Sequence, residues 1–219
     1  QLARIVDTGR RLLSPASLPW LSDLLHIGLH FHRLFREHTA GPYEILEYNT
    51  ALELLSRTGK KAVFRKQQRV RFLQDNVIAF QDYAWGEGEI FAEYKCAPGV
   101  VVDRYQDGDR WNVLISLRSS KQRGDVEEFN IERRVKDGFT KKAEWRQVEI
   151  RNPTRHLRMS VVFPRTRHCR KAVLVQRSNH RSCTLNSSHF HALPDGRQEV
   201  RWQTAKVPPL EVYTLKWWW

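Results

Sequence analysis

Six residues of the C-terminal half have side chains that could hold a metal: His168, Cys169, His180, Cys183, His189 and His191. Zinc selects imidazole and thiolate ligands, and a closed site needs about four of them at tetrahedral distances. His180 and Cys183 form an H-x-x-C pair, and His189 and His191 an H-x-H pair. No C-x-x-C pair accompanies them, and Cys169 would have to arrive from another strand. The spacing therefore predicts loop histidines and one core cysteine, with no metal and no cofactor. His26 and His30 are one helical turn apart, but they lack the intervening Glu of an H-E-x-x-H site. Asp103, Asp107 and Asp109 gather as calcium ligands do, yet the Asp107-Gly108 dipeptide reads as a hairpin turn.

Nucleophilic chemistry has no foothold either. There is no Ser in a G-x-S-x-G setting and no glycine-rich phosphate loop. Acidic pairs such as Glu127-Glu128 or Glu87 with Glu89 offer acid–base chemistry without singling out a site. The reading leans away from an enzyme and assigns no catalytic residue.

Charge is the stronger signal. Formal net charge is +13, and residues 111–219 alone carry twenty-two basic against ten acidic groups. Between Arg133 and Arg181 fifteen Lys or Arg face Asp137, Glu144 and Glu149. Such a field attracts phosphate-rich polymers, anionic lipid or acidic proteins. Aromatic residues are interleaved with the cations, as in proteins that stack bases along a basic groove. Trp145 sits between Lys141-Lys142 and Arg146, and Arg155, Arg158, Arg165, Arg167, Arg170 and Lys171 follow. These ten residues are the predicted nucleic-acid contacts. Arg146 and Arg158 are expected on one exposed face, although Arg146 shares its parity with Val148 and Ile150. No known nucleic-acid module signature is present.

Two kinds of element must position these groups. Residues 2–13 and 20–35 repeat apolar side chains at threes and fours, which predicts two helices. Thr39-Ala40-Gly41-Pro42 ends them and separates a helical segment, 1–40, from a β-domain, 43–219. Beyond Pro42 the period becomes two. Trp111, Val113, Ile115 and Leu117 share one face, as do Leu157, Met159, Val161 and Phe163. Residues 200–202 and 213–217 alternate likewise. Shorter strands are expected at 62–64, 70–73, 77–80, 89–94, 100–104, 128–135, 146–150 and 171–176. Asp107-Gly108, Asp137-Gly138 and Asp195-Gly196 read as hairpin turns, and residues 179–190 as the longest loop. About ten strands without intervening helices predict a mainly-β fold, an antiparallel sandwich or barrel.

No apolar run reaches the roughly 18 residues of a transmembrane helix. The Lys216-Trp217-Trp218-Trp219 ending reads as a last strand closing the core, with membrane-surface contact the weaker alternative. Three cysteines at irregular spacing suit an intracellular, cytoplasmic protein better than a disulfide framework. Gln1 in place of Met marks the chain as a fragment or processed product. The expected role is a non-enzymatic interaction module whose basic 133–181 region binds an anionic partner, nucleic acid first. The alternatives are a regulatory or assembly domain that binds protein through residues 1–40 and, third, a metal-dependent enzyme using the 168–191 cluster.

Overall fold

The computed structural model describes residues 41–219. The two predicted helices and the whole 1–40 segment lie outside the described residues. What is described is mainly β, with fourteen strands. In chain order they are β1 (Tyr43–Leu54), β2 (Lys61–Phe72), β3 (Val77–Ala84), β4 (Glu89–Ala97), β5 (Val100–Asp107), β6 (Arg110–Lys121) and β7 (Val126–Lys136). There follow β8 (Ala143–Glu149), β9 (Thr154–Phe163), β10 (Lys171–Gln176), β11 (Arg181–Thr184), β12 (Phe190–Ala192), β13 (Gln198–Thr204) and β14 (Val212–Trp218).

The strands form three sheets. One has seven strands in the order β12-β13-β9-β1-β2-β7-β4, one has four in the order β11-β10-β14-β8, and one has three in the order β3-β6-β5. Pairing is antiparallel except between β1 and β9, which run parallel in register Tyr48 with Leu157 and Leu52 with Val161. A parallel pair needs a long crossover rather than a tight turn. Here the crossover is most of the chain between them.

Two apolar cores result. In one, Tyr43, Ile45, Val70, Phe72, Phe129 and Ile131 of the large sheet meet Phe80, Val113, Ile115 and Leu117 of the three-stranded sheet. In the other, Leu52, Leu54, Leu157, Met159, Val161 and Phe163 meet Val148, Leu174, Tyr213, Leu215 and Trp217 of the four-stranded sheet. Trp217 and Tyr213 are wholly buried. Removing such a side chain from water stabilises by roughly 1.5–3 kcal/mol or more.

A β-bulge in β1 keeps both ends of the strand facing the interior. The register with β2 shifts between Ile45 and Glu47. One extra residue reverses which parity faces inward. Odd-numbered Tyr43 and Ile45 before the bulge and even-numbered Leu52 and Leu54 after it thus share the inward face, the first pair in one core and the second in the other. At the β1–β2 turn, Gly59 has φ +71°, and a Cβ there would sit 1.6 Å from the Phe139 carbonyl oxygen. Only glycine meets both demands.

Several local expectations are corrected. Asp107-Gly108 and Asp195-Gly196 do close hairpins, β5–β6 and β12–β13. Asp137-Gly138 does not: it leads from β7 in the seven-stranded sheet to β8 in the four-stranded one. Its positive-φ Asp137 turns the chain between sheets rather than back along a partner. Residues 179–190 are not one loop, because they contain β11 and a single 3-10 turn, Ser187–His189, capped by Asn186. Residues 62–64 and 70–73, read as separate strands, fall on the single long strand β2, which ends at Phe72.

Candidate functional site

The outward face of the four-stranded sheet brings cations and indole rings together. On β14, Tyr213, Leu215 and Trp217 point inward, so Lys216 and Trp218 point out. On β8, Glu144, Arg146 and Val148 point inward, so Trp145 points out. The register sets Lys216 directly opposite Trp145, and Lys171 of β10 directly opposite Trp218. Trp145 is 47% exposed and Trp218 38%. The Lys171 Nζ lies 5.4 Å from the Trp218 ring centroid, within cation–π range.

Two more cations stand beside this checkerboard. Arg170 precedes β10, and its backbone N–H donates to the Trp218 carbonyl at 2.7 Å. Lys142 precedes β8, and its carbonyl accepts the Trp219 N–H at 3.3 Å. Both side chains are exposed. Among the described residues, none of Lys142, Arg170, Lys171 and Lys216 has a carboxylate within ion-pair distance. Their charge is therefore available to a partner. Flat indole faces and hydrated ammonium groups on one rigid sheet can stack bases and neutralise phosphates together.

Of the ten residues predicted from sequence, Lys142, Trp145, Arg170 and Lys171 meet here. The others are placed differently. Arg146 is a correction: it is 6% exposed and points into the protein with Val148. Its Nη1 donates to the Ser160 carbonyl at 2.8 Å and its Nη2 to Thr50 Oγ1. Arg146 and Arg158 share no face, because β8 and β9 belong to different sheets. Arg158 is exposed and donates to Gln203 Oε1 at 3.2 Å. Arg155 is held by Glu44 at 3.1 Å, and Lys141 by Glu87 at 2.6 Å.

Arg167 lies 3.9 Å from the centroid of the Trp219 ring and donates to the Arg57 carbonyl at 2.9 Å. Partial burial, with Arg57 nearby, makes its charge harder to hold. Arg165 is exposed and packs against Gly196.

Lys216 and Trp218 were missed, although the alternation of the last strand already carried the signal. With Tyr213, Leu215 and Trp217 on the buried face, the even positions must be outside. The candidate metal ligands do not converge: among the described residues no three His, Cys, Asp or Glu side chains form a metal-holding group. His168 Nε2 instead meets the Gly196 carbonyl at 3.2 Å, and His189 Nδ1 meets Asn186 Oδ1 at 2.9 Å. Cys169 is buried, and burial pushes its thiol up to about 11. No helix among the described residues is long and apolar enough to cross a membrane.

No known protein family and no curated protein matches this chain. Solved structures resemble it distantly. An M1 zinc metallopeptidase from Deinococcus radiodurans aligns over 81% of this chain and 44% of its own, at 11% identity and TM-score 0.45. A two-domain M1 zinc metallopeptidase variant with bound L-tryptophan aligns over 80% and 43%, at 10% identity and TM-score 0.47. The chain thus spans less than half the length of these proteins. Similarity at this level carries no functional reading.

Proposed function

We propose that residues 41–219 form a non-enzymatic interaction module that binds an anionic partner, single-stranded nucleic acid first, on the outer face of the four-stranded sheet. The single observation behind this is the Lys171–Trp218 and Lys216–Trp145 checkerboard, flanked by Lys142 and Arg170. On this reading the seven-stranded sheet and the two smaller ones are the layers of a sandwich, and the four-stranded layer presents its outer surface. Single strands are favoured over duplex, because indole rings can stack only on bases that are not already stacked in a helix. A cytoplasmic setting suits the reading, since Cys96, Cys169 and Cys183 are all unpaired.

The test is fluorescence anisotropy of labelled single-stranded DNA and RNA across a salt series. Engagement of the four cations gives a log–log salt slope of about −2 to −3. Trp145→Ala and Trp218→Ala should each weaken binding by roughly 1–3 kcal/mol, the worth of one stacked base. No binding at low salt, or binding indifferent to both Trp substitutions, would overturn the assignment.

A further inference from the structure

Three cations lie inside the protein, where the two apolar cores meet. Lys66 of β2 is 6% exposed, Arg133 of β7 is 8%, and Arg146 of β8 is 6%. Long basic side chains are almost never this deeply buried unless each is paired. Lys66 is paired: its ammonium contacts Asp82, which is itself 1% exposed. Burial alone would depress the Lys66 ammonium, but Asp82 beside it keeps it charged. The other Asp82 oxygen accepts the Tyr94 hydroxyl at 2.9 Å.

The two arginines have no carboxylate of their own. Arg146 donates to the Ser160 carbonyl and to Thr50 Oγ1, both neutral, and its Nε has no acceptor. Arg133 Nη1 has none either. Both guanidiniums lie over the ring of Phe64, at 4.3 and 5.1 Å from its centroid. Burial disfavours the charged form of each. The remaining carboxylates nearby are already engaged. Glu87 binds the Lys141 ammonium, Glu144 accepts the Lys141 backbone N–H, and Glu149 pairs with Arg110 and Arg151.

Lys66, Arg133 and Arg146 line one cavity of about 120 Å³ with Tyr48, Phe64 and Val148, and the engaged carboxylates Glu87, Glu144 and Glu149 border it too. At roughly 10–15 Å³ of such space for each water, that is room for about eight to twelve waters or one small organic molecule. Guanidinium groups match carboxylates with a planar, bidentate geometry, and a low-dielectric wall strengthens that bond.

We propose that this cavity is a binding site for a small organic carboxylate, whose anionic head is held by Arg133 and Arg146 and whose apolar remainder packs against Phe64 and the surrounding wall. Arg146 points to the opposite side of β8 from Trp145, and Lys142, Arg170, Lys171, Lys216 and Trp218 lie outside the cavity, whose rim Trp145 shares.

The experiment is calorimetric titration of the full chain with butyrate, butyramide and inorganic phosphate at constant ionic strength, alongside a thermal melt with each. One-to-one binding of butyrate with a raised melting temperature, and none of butyramide, is the expected result. Arg133→Met and Arg146→Met should each weaken butyrate binding at least about tenfold. Lys171→Glu with Lys216→Glu should leave it unchanged, which separates this site from the outer face. Butyramide needs no folded variant, so the comparison holds even if one arginine substitution fails to fold. No butyrate binding, equal binding of butyramide, or a preference for phosphate would each overturn the assignment.

Discussion

The outer face of the four-stranded sheet and the seam between the cores use the same cationic side chains under opposite physical conditions. Lys171 and Lys216 keep their hydration and lie beside exposed indole rings. Their mutual repulsion is screened, and holding them costs the fold little. Lys66, Arg133 and Arg146 have lost their hydration, and of the three only Lys66 is in contact with a carboxylate, Asp82. A buried charge is expensive unless paired. On the proposed reading the exposed set attracts a long polyanion from solution, and the buried set discriminates among small anions that fit. Net charge alone did not separate these roles, since Arg133 and Arg146 add to the same basic region as Arg170 and Lys171.

The sharpest way to break the contrast is to remove the interior counter-ion. Asp82→Ala leaves three buried cations without a carboxylate and should destabilise the fold by about 3–5 kcal/mol, read as a shifted denaturation midpoint. Trp145→Ala with Trp218→Ala should instead leave that midpoint nearly unmoved while oligonucleotide affinity falls.

Next in size is Arg133→Met. It exchanges a buried charge without a carboxylate for an apolar chain of similar length, so stability should hold or rise by about 1 kcal/mol. A loss of several kcal/mol would show that Arg133 is a structural cation. Lys171→Glu with Lys216→Glu should change stability by less than about 0.5 kcal/mol. The smallest effect is a pH slope at Glu144. Burial raises its carboxyl above the usual range, against the backbone bond from Lys141. A raised carboxyl favours the folded state when protonated, and that contribution is lost as pH rises through the folded value. Glu144→Gln should flatten this weak slope, as measured by melts across the mildly acidic range.

Much of the sheet was legible because alternation is a direct record of burial. Val113, Ile115 and Leu117 proved buried, as did Leu157, Met159, Val161 and Phe163. β1 was not legible as a strand, since its bulge switches the inward parity midway and no single alternation runs through it. Lys66 and Arg133 were also hidden. Polar residues on an inward parity break the very pattern by which strands are recognised, and Asp82, the partner of Lys66, comes from another sheet. Sequence reasoning singled out the basic region and Trp145, but it could not sort exposed cations from buried ones. That depends on which sheet β8 joins, and the choice is made by its pairing with β14.

The most direct test of two separate anion sites is a labelled single-stranded oligonucleotide titrated with the protein in the presence and absence of saturating butyrate at fixed ionic strength. Independent sites predict the same oligonucleotide affinity in both, with Lys171→Glu and Lys216→Glu weakening it in both. Displacement of the oligonucleotide by butyrate would contradict the account, because outer face and interior cavity would then be one site.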